Sequence, residues 1–210
     1  MNPIAANDAL VLVDVQIDFC PGGALAVPDG DAVVPLCNAL ARRFGTVVTT
    51  QDFHPAGHVS FASTHGQEPF SEMVVEYGTQ VLWPDHCVAG TRGAEFHPDL
   101  DLNLVQAILR KGFRAEIDSY SGFVEADQQT STGLAAYLRE RGVRRIFVAG
   151  LALDFCVAWT ALDARAAGFE VVVLEDACRA IDLGGSVQKA RADFDTVGIV
   201  VARTRDIQQR

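Results

Sequence analysis

Three side chains of complementary chemistry stand at the ends of apolar runs: Asp14, Lys111 and Cys156. Asp14 lies near the close of ALVLVDV (Ala9 to Val15). A carboxylate at the end of so apolar a run is partly buried, and a buried carboxylate needs a partner. Lys111 ends another apolar run and is a candidate partner on a neighbouring strand. Either the two form a structural ion pair, or, with a thiol nearby, Asp14 acts as general base while Lys111 keeps it ionised and oriented. Cys156 sits in RIFVAGLALDFCVAW (Arg145 to Trp159), which breaks at Gly150 and resumes as a helical pattern from about Asp154. At a helix start, unpaired N–H groups and a partial positive charge are expected to lower a thiol pKa, and they can also hold an oxyanion. The alternative for Cys156 is a small buried apolar residue.

A second constellation is Asp52-Phe53-His54, with His58 and His86 further along. In an extended segment, residues two apart point to the same side, so Asp52 and His54 can aim at one point. A third ligand would complete a two-histidine, one-carboxylate set with open positions, which suits zinc, iron or manganese. The segment His54 to His58 is not a zinc-protease helix: it lacks the catalytic Glu, and Pro55 and Gly57 disfavour the helix. The alternative for these histidines is hydrogen bonding in turns. His65 and His97 read as loop residues. Asp176, in Glu175-Asp176, reads as structural support that caps the next segment or pairs with Arg179.

The elements that must position these residues alternate. Strands are expected at Ala9 to Val15, Thr46 to Thr50, Val105 to Leu109, Arg145 to Ala149, Glu170 to Leu174 and Gly198 to Ala202. Helices are expected from Asp29 or Asp31 to about Phe44, from a Ser131 or Thr132 cap to near Gly142, from Asp154 to Ala167, and from Gly184 to Phe194. Between Phe53 and Leu104 the pattern weakens, but Phe61, Phe70, Trp83 and Phe96 argue against disorder. Strands apolar on both faces and alternating with helices indicate α/β architecture: three α/β/α layers around a six-stranded, mostly parallel sheet. Ligands bind such sheets at the carboxyl ends of the strands, where Asp14, Asp52, Lys111 and Cys156 all fall.

One domain spanning residues 1–210 is expected from the length. The chain is 49% hydrophobic and 21% charged, with a net charge of −10, which argues against nucleic acid or an anionic membrane as partner. No apolar run approaches the roughly 20 residues of a membrane span. Five scattered cysteines with no CxxC pair, and no signal peptide pattern, point to a reduced, cytoplasmic protein, monomeric or homo-oligomeric.

Five stretches in order carry a more specific signal: VDVQIDFCPGGALAV from Val13, QDFHPAGHVSFAS from Gln51, WPDHCVAGTRGAEFHP from Trp83, KGFRAEIDSYSGF from Lys111, and GLALDFCV from Gly150. Over nearly its whole length the sequence resembles the nicotinamidases (pyrazinamidases) of the isochorismatase-like cysteine hydrolase superfamily. The resemblance implies that fold and a metal-dependent amidohydrolase that converts nicotinamide to nicotinate and ammonia, with pyrazinamide as a further substrate. It implies Cys156 as nucleophile, Asp14 and Lys111 as catalytic partners, and one divalent ion on Asp52, His54 and His86. Some members have a fourth ligand, for which His58 is the candidate here, although at a shorter spacing from the first histidine. It further implies an oxyanion hole from the Ala152 and Cys156 N–H groups, a cis peptide between Leu151 and Ala152, and a pocket formed by Phe19, Trp83, Tyr120 and Leu151. Ile17, Leu153 and Phe155 depart from residues common in the family, which bears on pocket polarity and substrate preference. The rival readings are a related small-amide or carbamoyl hydrolase, a non-catalytic ligand-binding member, and a redox-sensing thiol protein.

Overall fold

Six apolar runs line up side by side as one parallel sheet. The structure, a computed structural model, describes residues 3–207. Its strands in chain order are β1 (Asp8–Val13), β2 (Thr46–Asp52), the short pair β3 (Glu72–Val75) and β4 (Gly78–Val81), then β5 (Ala107–Lys111), β6 (Arg145–Leu151), β7 (Glu170–Arg179) and β8 (Val200–Ala202). All but β3 and β4 join the main sheet, in the order β5-β2-β1-β6-β7-β8, with every ladder parallel. The chain builds outward from β1 in one direction, then crosses back to β6 and builds in the other. β1 and β6 therefore flank the switch point, where a doubly wound sheet opens a crevice at its carboxyl edge.

Strand alternation sorts the core into two layers. Leu10 and Leu12 of β1, Phe147 and Ala149 of β6, and Leu174 of β7 pack on one face, against Cys37, Leu40 and Ala41 of α1 (Val34–Ala41). Val11 and Val13, Val148 and Val173 pack on the other. There they meet Leu134 and Leu138 of α3 (Leu134–Glu140), Ala161 of α4 (Ala158–Ala166) and Phe194 of α5 (Ser186–Val197), α2 being the single turn Ala62–His65. This is the expected three-layer arrangement. No helix among the described residues is long and apolar enough to cross a membrane.

Several local expectations change. The strand expected at Val105 to Leu109 runs two residues later and ends on Lys111 itself. Lys111 is not on the strand next to Asp14, because β2 lies between them. No side chain caps the turn before α1, where Asp29 takes a positive φ of 52°. The Thr132 hydroxyl does accept the Leu134 N–H at the start of α3 (3.2 Å). β7 continues through Glu175 and Asp176 to Arg179. Glu175 pairs with Arg191 rather than Arg179, and Asp176 accepts hydrogen bonds from the Thr204 N–H (2.8 Å) and hydroxyl (2.7 Å), a structural role as expected. The β3–β4 hairpin was not anticipated; it lies within the stretch read as irregular.

One glycine draws the switch point tight. Gly150 has φ +124°, and a Cβ there would stand 2.1 Å from Val13 O and 2.7 Å from Val13 N. Only glycine lets the end of β6 lie against the end of β1 in this way, which sets the chain after Leu151 beside Asp14.

Candidate active site

The buried ammonium of Lys111 ties the carboxyl ends of four strands together. Nζ lies 2.9 Å from Asp14 Oδ2 and 2.5 Å from Asp52 Oδ1. It also donates to Ser119 O at 2.9 Å and to Cys156 Sγ at 3.5 Å. Lys111, Asp14, Asp52 and Cys156 are all buried. Asp14 has a positive φ of 48° just past β1. Its Oδ1 accepts from the Thr50 hydroxyl (2.6 Å), whose oxygen in turn faces the Asp14 N–H (3.2 Å). Oδ2 pairs with the Lys111 ammonium, and an Asp14 oxygen lies within 4.8 Å of the Cys156 sulfur. Gln16 locks the floor of the site. Its amide donates to Asp52 O and accepts from the Asp52 N–H, each at 2.8 Å.

Burial dominates the electrostatics. It pushes the Cys156 thiol well above the ordinary range, with Lys111 opposing and Asp14 and Asp52 adding to the rise. The direction is therefore opposite to the one expected from a helix start, with burial as the main cause and the two carboxylates adding to it. That turn is a wide one: Leu153–Val157 forms a π-turn with Val157 N–H bonded to Ala152 O (3.1 Å) before α4 begins. Burial also raises Asp14, against the pull of Lys111. Thiol and carboxyl thus both hold a proton more tightly than in water, and they lie within 4.8 Å of each other, close enough for the proton to pass between them during attack. For Asp52, burial acts upward, but Lys111 and then His54 outweigh it and hold the carboxyl below the usual range.

The second constellation adjoins the first. Asp52 Oδ2 lies 3.6 Å from His54 Nε2 and 3.9 Å from His86 Nε2, and the donor atoms of all three lie within 4.8 Å of one another. His54 Nδ1 faces Gly112 O at 2.9 Å, and His86 Nδ1 faces Pro84 O at 2.8 Å. A carbonyl only accepts, so both Nδ1 atoms carry a proton and both Nε2 atoms point inward. Burial and the neighbouring His54 hold His86 down at about 4, hence neutral. Burial pulls His54 the same way, but Asp52 outweighs it and raises His54 above the ordinary imidazole range, placing there a proton that a bound cation would displace. Two imidazole Nε2 atoms and a carboxylate form a donor set that fits zinc, iron or manganese. His58 lies outside this set. Its Nδ1 accepts the Ser60 N–H (3.3 Å), its Nε2 faces Ile117 O (3.3 Å), and it groups instead with His54 and Asp118.

Gly112 makes His54 possible. It has φ +64°, and a Cβ would stand 2.4 Å from His54 Cε1. Gly112→Ala is expected to displace the ring and weaken zinc binding about 10-fold or more, measured by competition with a chromophoric chelator.

The metal-type set and Cys156 line one cavity, with Asp14 and Lys111 fully buried behind them. Its polar wall is Asp52, His54, His86, Asp118 and Cys156, and Phe19, Trp83, Tyr120 and Phe155 supply the aromatic wall, with Leu25 and Ile181 beside them. Trp83 donates through Nε1 to the Tyr120 hydroxyl (2.8 Å) and meets Phe155 edge-on, with ring centroids 4.9 Å apart. Leu151 does not line the cavity; it is fully buried in the sheet core, and Ala152 lines it instead. The Leu151–Ala152 peptide is cis, as expected.

Sequence reasoning missed Thr50, Gln16, Asp118 and Ile181. Gln16, two residues after Asp14, was the most accessible to it. Ile181 reaches the cavity because Asp154 anchors its loop, accepting from the Ile181 N–H (3.1 Å), the Asp182 N–H (2.7 Å) and the Ser186 hydroxyl (2.5 Å).

Residues 8–206 match the isochorismatase domain. The chain is 53% identical to a nicotinamidase of Acinetobacter baylyi over 204 residues, covering 97% of this chain and 95% of the relative. Among solved structures it resembles a nicotinamidase/pyrazinamidase of Acinetobacter baumanii (TM-score 0.95, 54% identity, 96% of this chain and 98% of the other). It also resembles the L. infantum protein PnC1, solved in complex with nicotinate (TM-score 0.88, 39% identity, 100% and 99%).

Proposed function

This chain belongs to the isochorismatase family, and from that premise we propose that it is a nicotinamidase, a cysteine amidohydrolase that converts nicotinamide to nicotinate and ammonia for NAD salvage. The observation that carries this reading is one lysine in contact with a thiol, a buried carboxylate and the carboxylate of a metal-type donor set, the thiol and that last carboxylate lining one aromatic cavity.

The flat pyridine ring fits between Phe19, Trp83 and Tyr120. As Cys156 Sγ attacks the carboxamide carbon, its proton passes to the Asp14 carboxylate, which has an oxygen within 4.8 Å of the sulfur. Lys111 steadies the charge on both partners. The carbonyl oxygen becomes an oxyanion facing the Ala152 and Cys156 N–H groups, where one donor is typically worth about 3–4 kcal/mol. Protonated Asp14 then delivers the proton to the departing nitrogen, so the C–N bond breaks and ammonia leaves a thioester on Cys156. In the second half, Asp14 takes a proton from water as its oxygen attacks the thioester, and nicotinate departs as the thiol is restored. Asp52, His54 and His86 would hold one divalent ion, zinc, iron or manganese, which supplies a Lewis-acid seat for the pyridine nitrogen. Pyrazinamide keeps the ring nitrogen and the carboxamide and is expected to react as well. The five free, buried cysteines support a reducing compartment, the cytoplasm.

Ammonia release from nicotinamide, with nicotinate as the organic product, is the test. Turnover of a carbamoyl compound with nicotinamide untouched, or nicotinamide binding without turnover, would replace this reading with one of its rivals. Chelation to a verified metal-free state is expected to abolish most of the activity and re-addition to restore it; full activity in the metal-free protein would remove the metal from the scheme.

A further inference from the structure

Asp118 is the one polar wall of the cavity that the hydrolytic scheme leaves unused. It is 3% exposed. Its Oδ1 accepts the Ser119 N–H at 2.8 Å and its Oδ2 accepts Gln80 Nε2 at 2.7 Å. Among the described residues, no lysine or arginine forms an ion pair with it. A buried carboxylate with two neutral donors and no cation is costly unless something nearby compensates it.

The compensation is legible in the charges around it. Asp14, Asp52 and Asp118 are three buried carboxylates, and Lys111 is the one buried ammonium among them. That ammonium contacts Asp14 and Asp52 but not Asp118. Asp118 lines the same cavity as Asp52, His54 and His86, and it lies beside His54, grouped with His54 and His58 by donor atoms within 4.8 Å of one another.

We infer that Asp118 is a positioning residue for the cation: it is the carboxylate that completes the charge of the Asp52–His54–His86 set and makes the cavity a site for a doubly charged ion. This rests on the metal reading of that set. The β3–β4 hairpin aims the carboxylate. Gln80 is buried on an otherwise largely exposed hairpin, and its amide is locked by the Tyr77 hydroxyl (2.9 Å), Val81 O (2.7 Å) and the Tyr120 hydroxyl (3.3 Å). The hairpin thereby fixes a charge at the ion site and the aromatic wall with the same side chain.

The test compares wild type, Asp118→Asn and Asp118→Ser, the serine variant serving if the isostere folds poorly. Each is stripped of metal, titrated with zinc against a chromophoric chelator, and melted with and without zinc. Zinc affinity is expected to fall 10- to 100-fold in both variants, the usual cost of losing a group outside the direct ligands. The metal-free variants are expected to melt at or above metal-free wild type, because an uncompensated buried charge is gone, and to gain less from zinc. Unchanged zinc affinity with a lower metal-free melting temperature would overturn the inference by making Asp118 a structural acceptor. Zinc binding lost in Asp118→Asn but kept in Asp52→Asn would overturn it by making Asp118 a direct ligand. Wild type that takes up no zinc would overturn the metal reading, and this inference with it.

Discussion

Cys156→Ala lowers the rate of ammonia release from nicotinamide by at least about 10⁴-fold while nicotinamide still binds; this is the result expected if the thiol carries the chemistry. Apart from Cys156, the polar side chains that line the cavity are carboxylates, histidines, Trp83 and Tyr120, and the Tyr120 hydroxyl is held by Trp83 and pushed up by burial, so no second thiol or activated hydroxyl stands ready to replace it. The other four cysteines are buried elsewhere. Alanine fits a site only 6% exposed, so the variant should stay folded and the loss should appear in kcat rather than in stability. Binding can be followed by calorimetry. A variant that released ammonia at the wild-type rate would end the covalent scheme.

Lys111→Met is expected to cost both activity and stability. Methionine fills similar space but leaves Asp14 and Asp52 buried without their ammonium. Breaking a buried pair from one side typically costs about 3–5 kcal/mol, and here one cation serves two acids. The pH dependence gives the cause away. In wild type, Lys111 and His54 hold the Asp52 carboxyl below its unfolded range, so its contribution is present above the unfolded carboxylate pKa and fades as pH falls. In the variant, burial acts unopposed by the ammonium, and folding then takes up protons. The deficit should be full at pH 7 and shrink as pH falls toward about 5. Urea unfolding across that range measures it; a deficit independent of pH would mean that packing, not charge, was lost.

The sequence made the central strands legible because runs such as ALVLVDV and TVVTT have few other uses. It also placed Asp14 and Cys156 at one sheet edge, since both follow such runs. It did not show that β2 separates Lys111 from Asp14, because sheet order is not written in periodicity. The β3–β4 hairpin escaped because its strands are four residues long and Val74, a β-branched residue, is 81% exposed, so no alternation marks a buried face. Glu175 and Asp176 read as residues beyond a strand ending at Leu174, whereas the strand runs on to Arg179 and their partners, Arg191 and Thr204, come from distant segments. The thiol pKa was misjudged for a related reason. A helix start is visible in one dimension, whereas burial beside two carboxylates is a property of the fold.

Lys111 and the three side chains around its ammonium come from the ends of four different strands. Asp14 follows β1, Asp52 ends β2, Lys111 ends β5 and Cys156 follows β6. No hairpin and neither half of the sheet contains the thiol together with its base. A chain that has not yet added β6, or one opened between β1 and β6, therefore carries no assembled site. The reactive centre doubles as a seal of completion: it comes into existence when both directions of the sheet have met, and it is dismantled by the first opening that parts β1 from β6.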